Sequence, residues 1–380
     1  MKRLVLAGAG HAHALVLRAW VRQPISGAEV VVISPEPLAP YSGMVPGWLA
    51  GHYRFDEIAI DFPRLAAAAG ARWYQGEIRA LDPERRQLRL SDGSTLDYDV
   101  LSLNVGSTLH PPEVQHAQML PLRPLSMLRR RYESLLQRWS REPSGRAFVV
   151  TAVGGGAAGF EALLAVLTRL RALRPDCDVR GSLLTRGTSL LPGLAPAARR
   201  AALRALDRAG VTLKIGTTWC AQVDLDSDVV LWATGAEAHE WQRDPACRGA
   251  LSVDDQGFVR IDERLRSVSH PQVFATGDCA SWTGRGLPKA GVHAVRMGPV
   301  LAANVRVALL GPAGTQALSV HRPQRHFLAL LATGDSRAIA SRGPFGAEGA
   351  WAWRWKDHID RRFLRQFELP NALSQPGETR

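Results

Sequence analysis

Hydrophobic positions along this chain come in short solid runs separated by glycine turns and helical stripes. Residues 4–7 form an uncharged apolar run. Gly8-Ala9-Gly10 follows, then a helical pattern carried by Ala14, Leu15, Leu17, Trp20 and Val21. A short, wholly apolar run reads as a strand buried on both faces of a parallel sheet. Residues 29–34 and 99–107 read as further buried strands of the same kind. Between them, residues 72–78, 87–90 and 95–98 read as short strands, with Asp92-Gly93 as a hairpin turn, so that 77–97 forms a small antiparallel insertion. A linker starts at Pro111-Pro112, and residues 125–139 have helical periodicity. The opening pattern then repeats: a strand at 147–153, a glycine turn, an apolar helix at 162–173, and strands at 181–185 and 228–235. A strand from 272 ends in Thr276-Gly277-Asp278, and Pro288-Lys289-Ala290 opens another helix.

The two glycine turns carry the candidate chemistry. In the first, Gly8 allows a tight turn and Gly10 lets backbone approach a pyrophosphate, while the helix N-terminus offers free N–H groups and a partial positive charge. His13 stands where the third glycine of G-x-G-x-x-G is expected, so a βα turn of another α/β fold stays open. In the second turn, Gly154-Gly155-Gly156-Ala157-Ala158-Gly159, the pattern is complete between a strand and a helix. Two such turns predict an α/β protein of two Rossmann-like dinucleotide-binding domains, the first split in sequence and the second inserted. The expected bounds are 1–115 with 254–318, then 116–253, a small C-terminal region at 319–372, and a tail at 373–380. An acid normally ends the second strand of such a unit and holds the adenosine ribose. Here the positions are Ser34, followed by Pro35 and Glu36, and Thr185 with Arg186. Arg186 meets a 2′-phosphate, or is a surface arginine, or the second unit binds no nucleotide. The loop at 40–47, with Tyr41, covers a cofactor or is a structural turn. Asp278 can accept hydrogen bonds from ribityl hydroxyls, and the helix from Ala290 can aim its positive end at a flavin ring.

Composition narrows the picture. The 380 residues carry a formal charge of +12, nearly all of it from arginine, since the lysines are Lys2, Lys214, Lys289 and Lys356. Solvated helix faces explain most of that charge, and no nucleic-acid-binding motif is present. Cys177, Cys220, Cys247 and Cys279 lack C-x-x-C or metal spacing, which points to a reducing compartment, no disulfide framework and no metal. No run is long enough to span a membrane, and the chain enters a strand at once, as a cytoplasmic protein would. Residues 351–367 mix aromatic and basic side chains, with Ile359, Phe363 and Phe367 as an apolar stripe. That helix docks on the core or lies on an anionic membrane at the inner face of the cell membrane. Residues 371–380 read as a disordered tail.

Together the motifs resemble the pyridine nucleotide-disulfide oxidoreductases, in the branch of type II NADH dehydrogenases and sulfide:quinone oxidoreductases. Gly-His-Ala-His at 10–13, Pro-Tyr-Ser-Gly-Met-Val-Pro-Gly at 40–47, Leu-Ser-Leu-Asn-Val-Gly-Ser at 101–107, Lys-Ala-Gly-Val-His-Ala-Val-Arg at 289–296 and Trp-Lys-Asp-His-Ile-Asp-Arg-Arg-Phe at 355–363 resemble the subfamily found fused N-terminal to selenide, water dikinase. The resemblance implies FAD at Gly8, Gly10, His11, Ala12, Ser34, Gly106, Asp278 and Ala290. It implies NAD(P)H at Gly154, Gly156, Gly159, Glu161 and Gly235. His13, Pro35, Tyr41, Ile78, Gly277, Lys289, Ala157 and Arg186 complete the candidate cofactor set. The redox cysteine pair of the disulfide-reductase branch is missing, so the flavin carries the chemistry. The implied activity is hydride transfer from NAD(P)H to FAD, with electrons passed to a quinone-like or other small acceptor. Oxidation of a sulfide or selenide species, and a non-catalytic flavin-binding partner, are the alternatives. A homodimer is left open.

Overall fold

The structure is a computed structural model and describes residues 1–143, 145–221, 226–284, 286–311, 317–324 and 327–369. The tail expected from 371 lies outside the described residues. Two five-stranded parallel sheets form the frame. In the first, strand Lys2–Ala7 lies between Ala28–Ser34 and Val100–Leu103, with Arg72–Gln75 and Val273–Ala275 at the edges. In the second, Phe148–Val153 lies between Val179–Thr185 and Val229–Trp232, with Val211–Ile215 and Gln118–Pro121 outermost. The first sheet takes its last strand from beyond residue 270, so the whole second sheet is inserted within it. In each sheet the strand leading into the glycine turn is central, with neighbours on both sides. A crevice therefore opens at its carboxyl end, where such sheets bind ligands.

Burial explains why the apolar runs are solid. Leu4, Leu6, Val32, Leu101, Leu103, Val273 and Phe274 share one core, and each is essentially inaccessible. Burying one such side chain contributes about 1.5–3 kcal/mol. A second core gathers Val150, Leu163, Leu167, Leu183 and Leu231. It also takes Val45, Trp48, Leu49 and Ile58 from the first unit's sequence, and the Tyr132 hydroxyl donates to the Leu49 carbonyl at 2.5 Å.

Three sequence expectations change in the structure. The run at 72–78 divides at Gly76: Arg72–Gln75 joins the parallel sheet, while Ile78–Asp82 starts the antiparallel meander with Gln87–Leu90 and Thr95–Asp97. The 40–47 loop runs into a short helix, Val45–Leu49, because Pro46 pre-sets a first helical turn. Beyond residue 318 lies a three-stranded antiparallel sheet, Ala329–Ala332, Ala338–Arg342 and Phe345–Gly349, ahead of helix Ala350–Leu364.

The first glycine of each turn sits at positive φ against backbone. A Cβ on Gly8 (φ +103°) would stand 2.4 Å from the Asn104 carbonyl oxygen, and one on Gly154 (φ +126°) 2.2 Å from that of Ala233. Gly210 (φ +63°) has nothing within 4 Å of the same position. Gly154→Ala is therefore expected to destabilise the protein by roughly 3 kcal/mol, and Gly210→Ala by only about 1 kcal/mol. Urea denaturation of the two variants checks this ordering.

Candidate functional site

At the first turn, helix His11–Arg22 starts at Gly10 with no side-chain cap and no acid in its first turn. In its first turn the Ala12 and His13 amides both donate to Asn104 Oδ1, at 3.1 and 3.5 Å. Asn104 Nδ2 donates to the Thr276 carbonyl at 2.8 Å, so one side chain ties the first turn to the Thr276-Gly277-Asp278 loop. Asn104 was not singled out from sequence; a lone amide ending a buried strand is the signal that would have found it. Gly106 (φ +74°) has open space where a Cβ would be. This glycine cradle at a helix N-terminus fits the pyrophosphate of a dinucleotide.

The structure turns His13 away from that cradle. Its side chain is fully buried: Nδ1–H donates to the Gly8 carbonyl at 2.7 Å, and Nε2 accepts the Ser102 hydroxyl at 2.8 Å. The Gly8 oxygen can only accept, which fixes the tautomer. Both ring nitrogens are used, which corrects the expectation that this imidazole faces a cofactor. Burial brings its pKa down to about 4, so it stays neutral. His11 does face the site. Its Nε2 accepts the Ser42 N–H at 3.3 Å and its ring meets Tyr41 edge-on at 5.3 Å. Burial brings its pKa to about 4 as well, against the pull of the Asp278 charge.

Four further candidates are spent on structure. The Lys289 ammonium donates to the Ala280 carbonyl at 2.6 Å and lies 3.5 Å from the Phe258 ring centroid, and burial lowers its pKa. Its charge is therefore directed into the fold, contrary to expectation. Ile78 is a core side chain. The Ser34 hydroxyl donates to the Glu36 carbonyl at 3.2 Å, and the exposed Pro35 offers a carbonyl that accepts Gln75 Nε2 at 2.9 Å. Gly277 (φ +68°) turns the chain so that Asp278 meets an unforeseen partner, Arg123. The Arg123 guanidinium also donates to Ser107 Oγ and, at 3.1 Å, to the Lys289 carbonyl. It comes from the chain linking the sheets, so no local pattern marks it. Ala290 ends this wall as the uncapped start of helix Gly291–Leu310.

At the second turn, Gly156 leads uncapped into helix Ala157–Leu173, and a Cβ on Gly156 would meet nothing within 4 Å. Gly159 packs so closely that a Cβ would lie 2.2 Å from the Gly154 carbonyl oxygen. Gly235 (φ +124°) borders the same opening and is itself unobstructed. Arg186 is exposed at the rim. Glu161 departs from expectation: Oε1 accepts the Ala332 N–H at 2.7 Å, which aims the carboxylate at the C-terminal region instead of the nucleotide turn. Burial pushes its pKa up to about 7, despite the nearby Lys356 ammonium.

Helix Ala350–Leu364 closes the space between the turns. Phe363 is buried and stacks on Tyr41 at 4.5 Å, so the helix docks on the chain's own core. Ile359 breaks the expected stripe: it is 37% exposed, alongside Trp351 and Trp355. The inward face carries Lys356 and Asp360, 2.5 Å apart, with Lys356 also donating to the Gly43 carbonyl and Tyr41 hydrogen-bonded to Asp360. Burial raises the Asp360 pKa. Residues 356, 360 and 363 share a helix face, so a polar pair in line with a buried phenylalanine was the available signal. The result is a continuous chain of contacts and charges from His11 through Tyr41, Asp360 and Lys356 to Glu161.

His13 supports a stability prediction. Between pH 6.5 and about 4 the unfolded chain protonates this histidine and the folded protein does not, so stability falls as pH drops through that window. The full swing is about 3 kcal/mol. Urea denaturation across pH 4–7 is expected to show one proton fewer taken up on unfolding of His13→Gln than of the unmodified protein. His13→Ala, which strands the Gly8 carbonyl and the Ser102 hydroxyl, is expected to lose roughly 2–4 kcal/mol at pH 7.

Comparison with known proteins agrees with this geometry. Residues 2–298 match the family model for pyridine nucleotide-disulphide oxidoreductases. An alternative NAD(P)H-ubiquinone oxidoreductase of Arabidopsis thaliana is 25% identical over 305 residues, covering 70% of this chain and 59% of its own length. The chain thus spans less than two thirds of that relative. Among solved structures, the sulfide:quinone oxidoreductase of Aquifex aeolicus superposes with TM-score 0.76 at 15% identity, covering 97% of this chain and 91% of that one. NDH2 from Plasmodium falciparum, solved with NADH, superposes with TM-score 0.77 at 12% identity, covering 96% and 97%. Two glycine turns on two parallel sheets, one nested in the other, and a family match across most of the chain lead to one conclusion: this protein belongs to the pyridine nucleotide-disulphide oxidoreductase family.

Proposed function

We propose that the protein is an FAD-dependent oxidoreductase that takes electrons from a reduced nicotinamide nucleotide and delivers them to a quinone-like or other small acceptor. The observation that carries this reading is the chain of contacts from His11 at the first turn to Lys356, whose charge acts on Glu161 on the helix of the second. It puts titratable groups in the space between the two nucleotide cradles. Gly8, Gly10, Ala12 and Gly106 would hold FAD, together with Asp278 and the N-terminus at Ala290. Gly154, Gly156 and Gly235 would hold the nucleotide. Bound FAD would supply the two-electron chemistry. The protein's own residues exclude water and place charge. Tyr41 and Phe363 form an apolar wall, and Lys356 forms an ion pair with Asp360. Glu161, with its pKa near 7, can hold or release a proton at Oε1 or Oε2 at neutral pH. The relatives named for ubiquinone and quinone support the acceptor class.

The resemblance to the selenium-linked subfamily supports a second reading, oxidation of a sulfide or selenide species. The thiols weigh against it: none of the four cysteines is in a disulfide, and burial pushes Cys279, the one beside Asp278, up to about 11. A buried thiol held protonated is a poor nucleophile. In the described residues no helix is long and apolar enough to cross a membrane.

Anaerobic stopped-flow absorbance of the FAD-loaded protein tests the proposal. Rapid loss of the flavin band near ~450 nm on mixing with NADH or NADPH is the expected result. Bleaching by sulfide or selenide alone would replace it with the second reading. Turnover is expected to depend on pH with an apparent pKa near 7, and Glu161→Gln is expected to flatten that profile.

A further inference from the structure

The rim of the second turn carries a feature that the proposed function does not use. Strand Val179–Thr185 pairs along its length with the strand entering the turn, so its carboxyl end lies where the adenosine ribose of a bound dinucleotide falls. A carboxylate at that place binds the ribose hydroxyls and repels a 2′-phosphate. This chain has Thr185-Arg186-Gly187-Thr188-Ser189 there, with no carboxylate. The adjoining strand and its loop, Val211-Thr212-Leu213-Lys214-Ile215-Gly216-Thr217, carry none either and add a lysine.

Thr185 is fixed in place. Its Oγ1 accepts the Gly187 N–H at 3.2 Å and would lie 2.6 Å from a Cβ on Gly155, so the strand end and the glycine turn are in direct contact. Arg186 follows immediately, on the exposed rim. Several arginines of this unit are tied down. Arg180 pairs with Asp178 at 2.7 Å and Arg208 with Glu348, while Arg171 donates to the Val179 carbonyl at 2.7 Å. Among the described residues Arg186 makes no ion pair or hydrogen bond, and a Cβ on Gly187 would meet no atom closer than 3.5 Å. An exposed, unpaired guanidinium after a strand end that carries no carboxylate suits a dianionic phosphate, which arginine can bind with two parallel hydrogen bonds.

We propose that Arg186 is the 2′-phosphate anchor of the second site and that the nucleotide used is NADPH in preference to NADH. The inference rests on the assignment of that turn to NAD(P)H. It is tested by measuring, under anaerobic conditions, the concentration of each nucleotide that half-saturates flavin bleaching in the FAD-loaded protein. The expected result is half-saturation by NADPH at a concentration at least about tenfold lower than by NADH. Arg186→Ala is expected to weaken NADPH roughly 10- to 100-fold and leave NADH within about twofold. Arg186→Lys is expected to recover part of the loss, and added salt to weaken NADPH more than NADH. Arg186 is exposed and unpaired, so a thermal midpoint matching the unmodified protein confirms that the variants are folded. Equal or tighter use of NADH, or an Arg186→Ala effect of the same size on both nucleotides, overturns this inference and leaves the dehydrogenase reading standing. Bleaching by neither nucleotide overturns both.

Discussion

The approach of a glycine to a backbone carbonyl sets the geometry of both halves of this protein. Gly8 lies against the Asn104 carbonyl and Gly154 against that of Ala233, each at a positive φ that side-chain-bearing residues rarely adopt. These contacts bring the end of one central strand against the end of its neighbour, so the crevice forms at the N-terminus of the following helix. The halves then diverge at the third position of the motif. In the second turn the helix comes so close that only glycine fits at 159. In the first, the equivalent carbonyl is met by the His13 imidazole, which extends the same contact to Ser102 on the next strand. A hydrogen-bonded ring does the joining that bare backbone proximity does in the other half.

The C-terminal region packs against both units. Its three strands share the second unit's core through Leu331 and Ile339, while Phe363 on the following helix stacks on Tyr41 from the first unit. Burying Lys356 and Asp360 in that seam carries a desolvation cost, and their mutual contact, the Gly43 carbonyl and the Tyr41 hydroxyl offset it. The same desolvation raises Glu161 to a pKa at which it is half protonated near neutrality. The polar cluster thus follows from closing the helix over the gap between the turns.

Much of this was legible along the chain. Solid apolar runs can only be strands covered on both faces, and glycines at spacing i and i+2 between strand and helix have few other uses, so both sheets, both turns and the nesting of one unit in the other could be read directly. The Asp92-Gly93 hairpin and the helix at 125–139 followed from local turn chemistry and periodicity in the same way. Gly106 and Asp278 follow strands of the first sheet and Gly235 a strand of the second, places that the apolar runs already mark.

What only the tertiary structure decided was the direction of individual polar side chains. Lys289 and Glu161 sit in motif positions, yet one turns to Phe258 and the other to Ala332. Arg123 reaches Asp278 across 155 residues of sequence, and Tyr41 meets Asp360 across a still longer span. On the last helix, local periodicity favoured Ile359 as buried, while packing chose Lys356, Asp360 and Phe363 and left Ile359 half in solvent. Backbone geometry and apolar burial are written in local spacing, because they depend on residues a few positions apart. The partner of a buried charge depends on which distant element fills the remaining space, and that is fixed only when the two units and the C-terminal helix close on one another.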